Sequence, residues 1–292
     1  MREYAPGLSL EMTAMEVDFD PKLVSSLAIP PRPDIVVVLG EEMRREDPDL
    51  GRIARQIAAD VGLSSGMLKV VNSAAFGRGA RARSVAHAVD LLGLRNVAGI
   101  ATGLALRHAL EGSGMALGRF WDTAEKTALI CASLARSLRG IPVDEAYTLG
   151  LFHDCGIPVL MQHFPAYRDT LARANHTGDR SFTAVEEADV GTHHCAVGYF
   201  LARSWRLPDA MCRAILWHHD PAVFAHAETP DAVRNYVGIV HIAEQVQHHL
   251  MRSAVNVEWP KFEALVMDHF GLTGEDFINL VDAAQDAVAV ET

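Results

Sequence analysis

Apolar positions recur at intervals of three and four along most of this chain, the spacing of a helix that buries one face. Leu50, Ile53, Ile57 and Val61 share such a face on a helix ending near Gly62. The same spacing predicts helices over Leu63 to Phe76, from a Ser84 cap to Leu92, and over Phe120 to Leu138. It continues over Val143 to His153, Val159 to Asn175, His194 to Trp205, Asp209 to His218 and Asp231 to Leu250, with two further helices at the C-terminal end. Asp20-Pro21 has the form of an N-cap followed by proline at the first helical position. Asp34 can cap a helix to about Glu46, although Ile35 to Leu39 equally suits a short buried strand. Thr183 with Glu186 resembles a capping box. No run of alternating strands, no glycine-rich nucleotide loop and no fixed-period repeat is present, so the pattern predicts an all-α, multi-helical fold.

Composition adds limits. The chain has 292 residues, 49% of them hydrophobic and 22% charged, too apolar for a disordered protein. Stretches such as Ile35 to Leu39 and Val97 to Leu106 fall short of the ~20 apolar residues of a membrane span. The N-terminal residues show no apolar signal region. The four cysteines form no CxxC pair and read as free thiols. A cytoplasmic protein without a membrane partner is expected. The net charge of −11 opposes binding to a phosphate backbone.

Charge and histidine are unevenly spread. Residues 1–118 carry 13 basic and 14 acidic side chains, residues 119–292 carry 13 and 23, and 12 of the 14 histidines lie in the second part. The change falls at Glu111 to Gly118 (EGSGMALG), with three glycines and a serine, which suggests an N-terminal lobe over 1–118 and a second lobe over 119–292.

The second part holds the candidate chemistry: His153-Asp154, His193-His194, His218-His219 and His241 with Glu244. Imidazole and carboxylate are ligands for Zn, Mn or Fe, and helix bundles build such sites from facing helices. Cys155 and Cys195 lie beside the cluster, as soft ligands or as small core residues. Arg78, Arg81 and Arg83 form the basic cluster, a possible contact for an anion or simply a solvated loop.

The pattern PxxPD…DPDLGRIARQIAADVGLSSGMLKVVNSAAFG…SVAHAVDLLGLRNV, followed by FW…A…GLFHDCG, HCAVGYFLARSWRLPDAM…HHD and IVHIAE, resembles the HDOD (HD-related output domain) family. The resemblance runs from about residue 26 to 249. It implies an N-terminal helical lobe packed on an HD-like helical bundle, and a bacterial signal-transduction role exercised through protein contacts. No receiver, GGDEF or kinase segment is legible, so the partner is expected to be another signalling protein or a second copy of the chain.

HD-domain phosphohydrolases, to which the family is related, hold a divalent metal, and the resemblance carries their ligands onto this chain residue by residue. The doublet is His153 and Asp154, the later carboxylate is Glu244, and the two extra histidines match His194 and His218 or His219, with His219 taken as the ligand. The early histidine falls at Thr123, a poor ligand, and the basic residue that commonly follows HDxG is Ile157. No cofactor is certain on this basis. A divalent ion (Zn, Mn, Fe or Mg) on the retained residues is the expectation to test, and the alternative function is a metal-dependent phosphohydrolase acting on nucleotides or cyclic dinucleotides. Asn72, Ser73 and Gly77 carry the NSAAFG element, where an asparagine at a helix end braces a turn.

Overall fold

The computed structural model describes residues 27, 29–77, 81–111, 117–251 and 256–288, so Asp20-Pro21, Arg78 and most of the Glu111–Gly118 boundary lie outside the described residues. The helices in chain order are α1 (Asp34–Glu42), α2 (Leu50–Ala58), α3 (Val61–Val71), α4 (Val85–Glu111), α5 (Gly118–Leu134), α6 (Val143–Phe152) and α7 (Gly156–His163). There follow α8 (Tyr167–Ala174), α9 (Phe182–Val190), α10 (His194–Ser204), α11 (Asp209–Trp217), a 3-10 turn (Pro221–Phe224), α12 (Asp231–Met251), α13 (Trp259–Phe270) and α14 (Gly274–Val288). No strand occurs among the described residues, and Ile35 to Leu39 are helical.

Local chemistry explains the boundaries. Asp49 and Asp60 cap α2 and α3 by accepting from the backbone N–H groups of Arg52 and Leu63. Gly93 interrupts α4 at φ 77°, a backbone state that favours glycine, so the expected break is a kink within one long helix. By length and composition α4 could cross a membrane, but half of its most apolar window is buried inside the molecule. The single helix expected over Val159 to Asn175 is two, α7 and α8. Phe164 precedes Pro165 and is extended at φ −115°, ψ 104°, as the proline ring requires of its neighbour. The expected Thr183–Glu186 capping box is absent: Ser181 caps α9 by accepting from the Ala184 N–H, and Glu186 is buried elsewhere.

Helix α4 packs on α2, α3 and α6, and α6 packs on α5. Helix α12 bridges α5 and α11, α10 lies against α7 and α11, and α14 covers α5. Among the described residues, buried apolar side chains from Leu27 to Ala284 form one large cluster beside a small one of Ala174, Phe182 and Val185, so the N-terminal helices and the histidine-rich helices share a core.

Asn72 ends α3, and its amide takes both backbone groups of Ala82: Nδ2 donates to the carbonyl at 3.0 Å and Oδ1 accepts from the N–H at 2.8 Å. Ser73 Oγ donates to Val70 O, and the Gly77 N–H donates to Ser73 O at 2.7 Å. These bonds pin the end of α3 to the chain entering α4. Asn72→Ala deletes both bonds to Ala82, so a loss of about 2 kcal/mol is expected from urea denaturation, with Asn72→Asp retaining only the acceptor and losing about half as much.

Candidate metal centre

The site forms where four helix ends meet the face of α12. Helix α6 ends at Phe152, and His153-Asp154-Cys155 makes a tight joint before α7 starts at Gly156. The joint is tight because α10 lies directly on it. A Cβ at Gly156 would stand 2.0 Å from His194 O and 2.9 Å from Gly198 N, so only glycine fits the fourth place of HDxG.

Three imidazoles aim Nε2 at one carboxylate. His194 Nε2 lies 3.2 Å and His218 Nε2 3.5 Å from Asp154 Oδ1, while His153 Nε2 lies 3.4 Å from Asp154 Oδ2 and 3.5 Å from Glu244 Oε1. Each ring is anchored through its other nitrogen. His153 Nδ1 donates to Gly150 O and His218 Nδ1 to Ile215 O, both at 2.8 Å and three residues back, while His194 Nδ1 meets Glu186 Oε2 at 2.7 Å. This is the arrangement by which proteins orient metal-binding histidines. Tyr167 Oη donates to Glu186, so the anchor is itself held.

The field matches the geometry. Burial opposes a charged imidazole, yet Asp154 and Glu244 push His153 up to about 10. Burial likewise opposes charge on His218, but Cys195 and Asp154 push it up to about 9. Burial works against the Asp154 carboxylate, and His153 nonetheless holds it well below the usual range, helped by His194 and His218. Cys195 is buried, but His194 and His218 draw its thiol well below the ordinary value. His241 is the exception: burial drives it down to about 4, so it stays neutral, donates Nε2–H to His218 O at 2.5 Å and stacks on Phe262.

Ligand atoms of His153, Asp154 and Glu244 lie within 4.8 Å of one another, and so do those of His194, Cys195, His218 and His219. The expected residues His153, Asp154, His194 and Glu244 therefore converge. His219 joins the second group, but its Nδ1 lies 3.1 Å from Glu258 Oε2, whereas His218 is the neighbour that reaches Asp154. Burial opposes the Glu258 charge, but His219 and Lys261 bring it down to about 2. Thr123 is exposed, and its carbonyl accepts from Thr127 Oγ1 and Gln247 Nε2. Arg81 and Arg83 are exposed ahead of α4. Glu186, Tyr167 and Glu258 were not legible as site residues, because nothing in their local sequence separates them from surface or core positions.

A helical bundle with an HD doublet at its centre defines an HD-like fold. The match to a known family is direct: the HDOD domain model covers residues 29–221, and the chain belongs to the HDOD family. An uncharacterized protein of Treponema pallidum is 27% identical over 207 residues, and the chain spans about 40% of that relative's length. Among solved structures, an HDOD domain protein of unknown function from Geobacter sulfurreducens superposes with a TM-score of 0.63 at 20% identity, covering 92% of this chain and 97% of that one. A Shewanella amazonensis protein provisionally named a metal-dependent phosphohydrolase gives 0.66 at 19% identity, covering 91% and 95%. A Marinobacter aquaeolei protein provisionally named for signal transduction gives 0.63 at 23% identity, covering 91% and 60%.

Proposed function

We propose that this chain is a regulatory signal-transduction module of the cytoplasm that acts by contact with another signalling protein or a second copy of itself, without turning over a substrate. The observation that carries this reading is Ile157, an apolar side chain 9% exposed where the related enzymes commonly place a cation. A transferring phosphoryl group needs positive charge to offset what develops in its transition state. Thr123 adds to this, since its hydroxyl is a poor substitute for an imidazole ligand. Incubation of the full chain with nucleotides and cyclic dinucleotides, with Mg, Mn, Zn or Fe supplied, is expected to give no turnover above the metal blank. Hydrolysis at an enzyme-like rate that disappears in Asp154→Ala would overturn the reading and establish the phosphohydrolase instead.

Metal binding is a separate matter, and the anchored imidazoles favour it. The inward Nε2 atoms, the two carboxylates and the Cys195 thiol are a donor set that fits a divalent ion. His153, Asp154 and Glu244 would hold one ion, and His194, Cys195, His218 and His219 another. A bound ion would supply Lewis acidity and an activated water. Thiolate with imidazole selects Zn or Fe over Mg. Elemental analysis of the purified protein is therefore expected to find Zn or Fe, with Cys195→Ser lowering the content and Asp154→Ala lowering it further. Equal metal content in all three proteins would remove the assignment.

A further inference from the structure

A concavity lies away from the histidine cluster, between α1, the middle of α4, the start of α6 and the corner joining α10 to α11. Its volume is about 400 Å³, the size of a small-ligand pocket. Val36, Leu39, Met43, Leu207 and Met211 line it with apolar surface, and Met43 is 45% exposed there.

Four arginines border this surface: Arg32, Arg44, Arg95 and Arg206. Arg95 is committed to Asp144 and Glu145. Arg32, Arg44 and Arg206 make no ion pair and no side-chain hydrogen bond among the described residues, although Arg45 and Arg52 nearby are paired with Glu42, and Arg203 and Arg213 with Asp209. Asp144 and Glu145 line the same concavity, but both face Arg95, so Arg32, Arg44 and Arg206 are left as its unpaired charges.

Arg206 carries a second signal. It is the one non-glycine residue with positive φ among the described residues, at 61°. It stands just past the end of α10, where the Leu207 N–H closes back on Ala202 O at 3.0 Å, a position ordinarily given to glycine. An arginine accepts backbone strain there, and strained residues concentrate at ligand clamps. Trp205 beside it lines the concavity and packs edge-on against Phe152 at 5.7 Å, one residue before His153.

We propose that this concavity is a binding site for a small amphipathic anion, with its apolar body on the Leu39–Met211 floor and a phosphate, sulfonate or carboxylate head met by Arg206, Arg44 and Arg32. The site is independent of the reading of the HD-like cluster, so either can fail without the other. The apolar floor asks for a body, and the three guanidinium groups ask for a head; inorganic phosphate alone supplies only the second.

The test uses the full chain with 8-anilinonaphthalene-1-sulfonate, which joins aromatic rings to one sulfonate, and with N-phenyl-1-naphthylamine, which has the rings without the charge. The rise in dye fluorescence on leaving water for an apolar surface reads binding, and the arginine variants locate it. The sulfonate is expected to bind saturably at one site, at least about tenfold tighter than the neutral dye, as charge-assisted hydrogen bonds imply. Arg44→Ala with Arg206→Gly is expected to weaken the sulfonate at least about tenfold and to leave the neutral dye unchanged. Arg206→Gly suits the positive φ, so the variant retains its fold, which circular dichroism checks. Sodium laurate is expected to displace the dye, and inorganic phosphate to displace it far less well. Equal affinity for both dyes, or no loss in the double variant, would overturn the proposal in favour of a plain apolar patch. A concentration-dependent dimer that excludes the dye and dissociates in Arg44→Glu would overturn it in favour of a second copy of the chain.

Discussion

Gly156→Ala is expected to cost at least about 3 kcal/mol, the largest loss for one added methyl group in this protein. The new Cβ would stand 2.0 Å from His194 O, 2.8 Å from His194 C and 2.9 Å from Gly198 N, all backbone atoms of α10. No rotamer change relieves such a clash, so α7 and α10 must separate. That motion pulls the His153-Asp154 joint away from His194. Gly103→Ala is the internal comparison. Its Cβ would meet Leu151 Cδ1 at 2.2 Å, the far end of a flexible side chain that can turn aside, so about 1–2 kcal/mol is expected. Urea denaturation of both variants checks the order. A Gly156→Ala loss no greater than that of Gly103→Ala would mean that the α7–α10 contact yields more easily than its geometry implies.

Asp154→Ala is expected to destabilise the fold by about 3–5 kcal/mol near pH 6, because it removes the carboxylate shared by three buried imidazoles. The effect has a definite pH dependence. His153 and His218 rise from 6.5 to about 10 and about 9, so their contribution is fully present below about pH 6.5 and is lost as pH climbs through 9 and 10. In the variant these rings must stay neutral or carry unpaired charge, which is most costly in acid. The gap between wild type and Asp154→Ala is therefore largest near pH 6 and smallest above about pH 10. Denaturation at the two pH values measures it, with metal removed by chelation so that a bound ion does not mask the result. A gap that widens toward alkaline pH would show that the imidazoles are neutral and that Asp154 serves them only as a hydrogen-bond acceptor.

The sequence by itself determined the helical architecture and the family. Apolar spacing placed most of the helices, and the HDxG and NSAAFG elements carried the resemblance that the match over residues 29–221 establishes. It also pointed to His153, Asp154, His194 and Glu244, since a histidine-aspartate doublet at the end of an apolar helix is visible in one dimension. Other features were invisible there for a physical reason. Glu186 looks like a capping residue until α8 and α10 close over it and bring Tyr167 and His194 to its carboxylate. Neighbouring histidines of one doublet cannot be ranked from sequence; the backbone turns His218 to Asp154 and His219 to Glu258. Arg32 and Arg44 flank α1 and Arg206 follows α10, and only the folded chain sets Arg206 on the same concavity as the other two. Periodicity reports which face of a helix avoids water. Which helices bring their polar ends together is decided by packing, through contacts as local as a missing Cβ at Gly156.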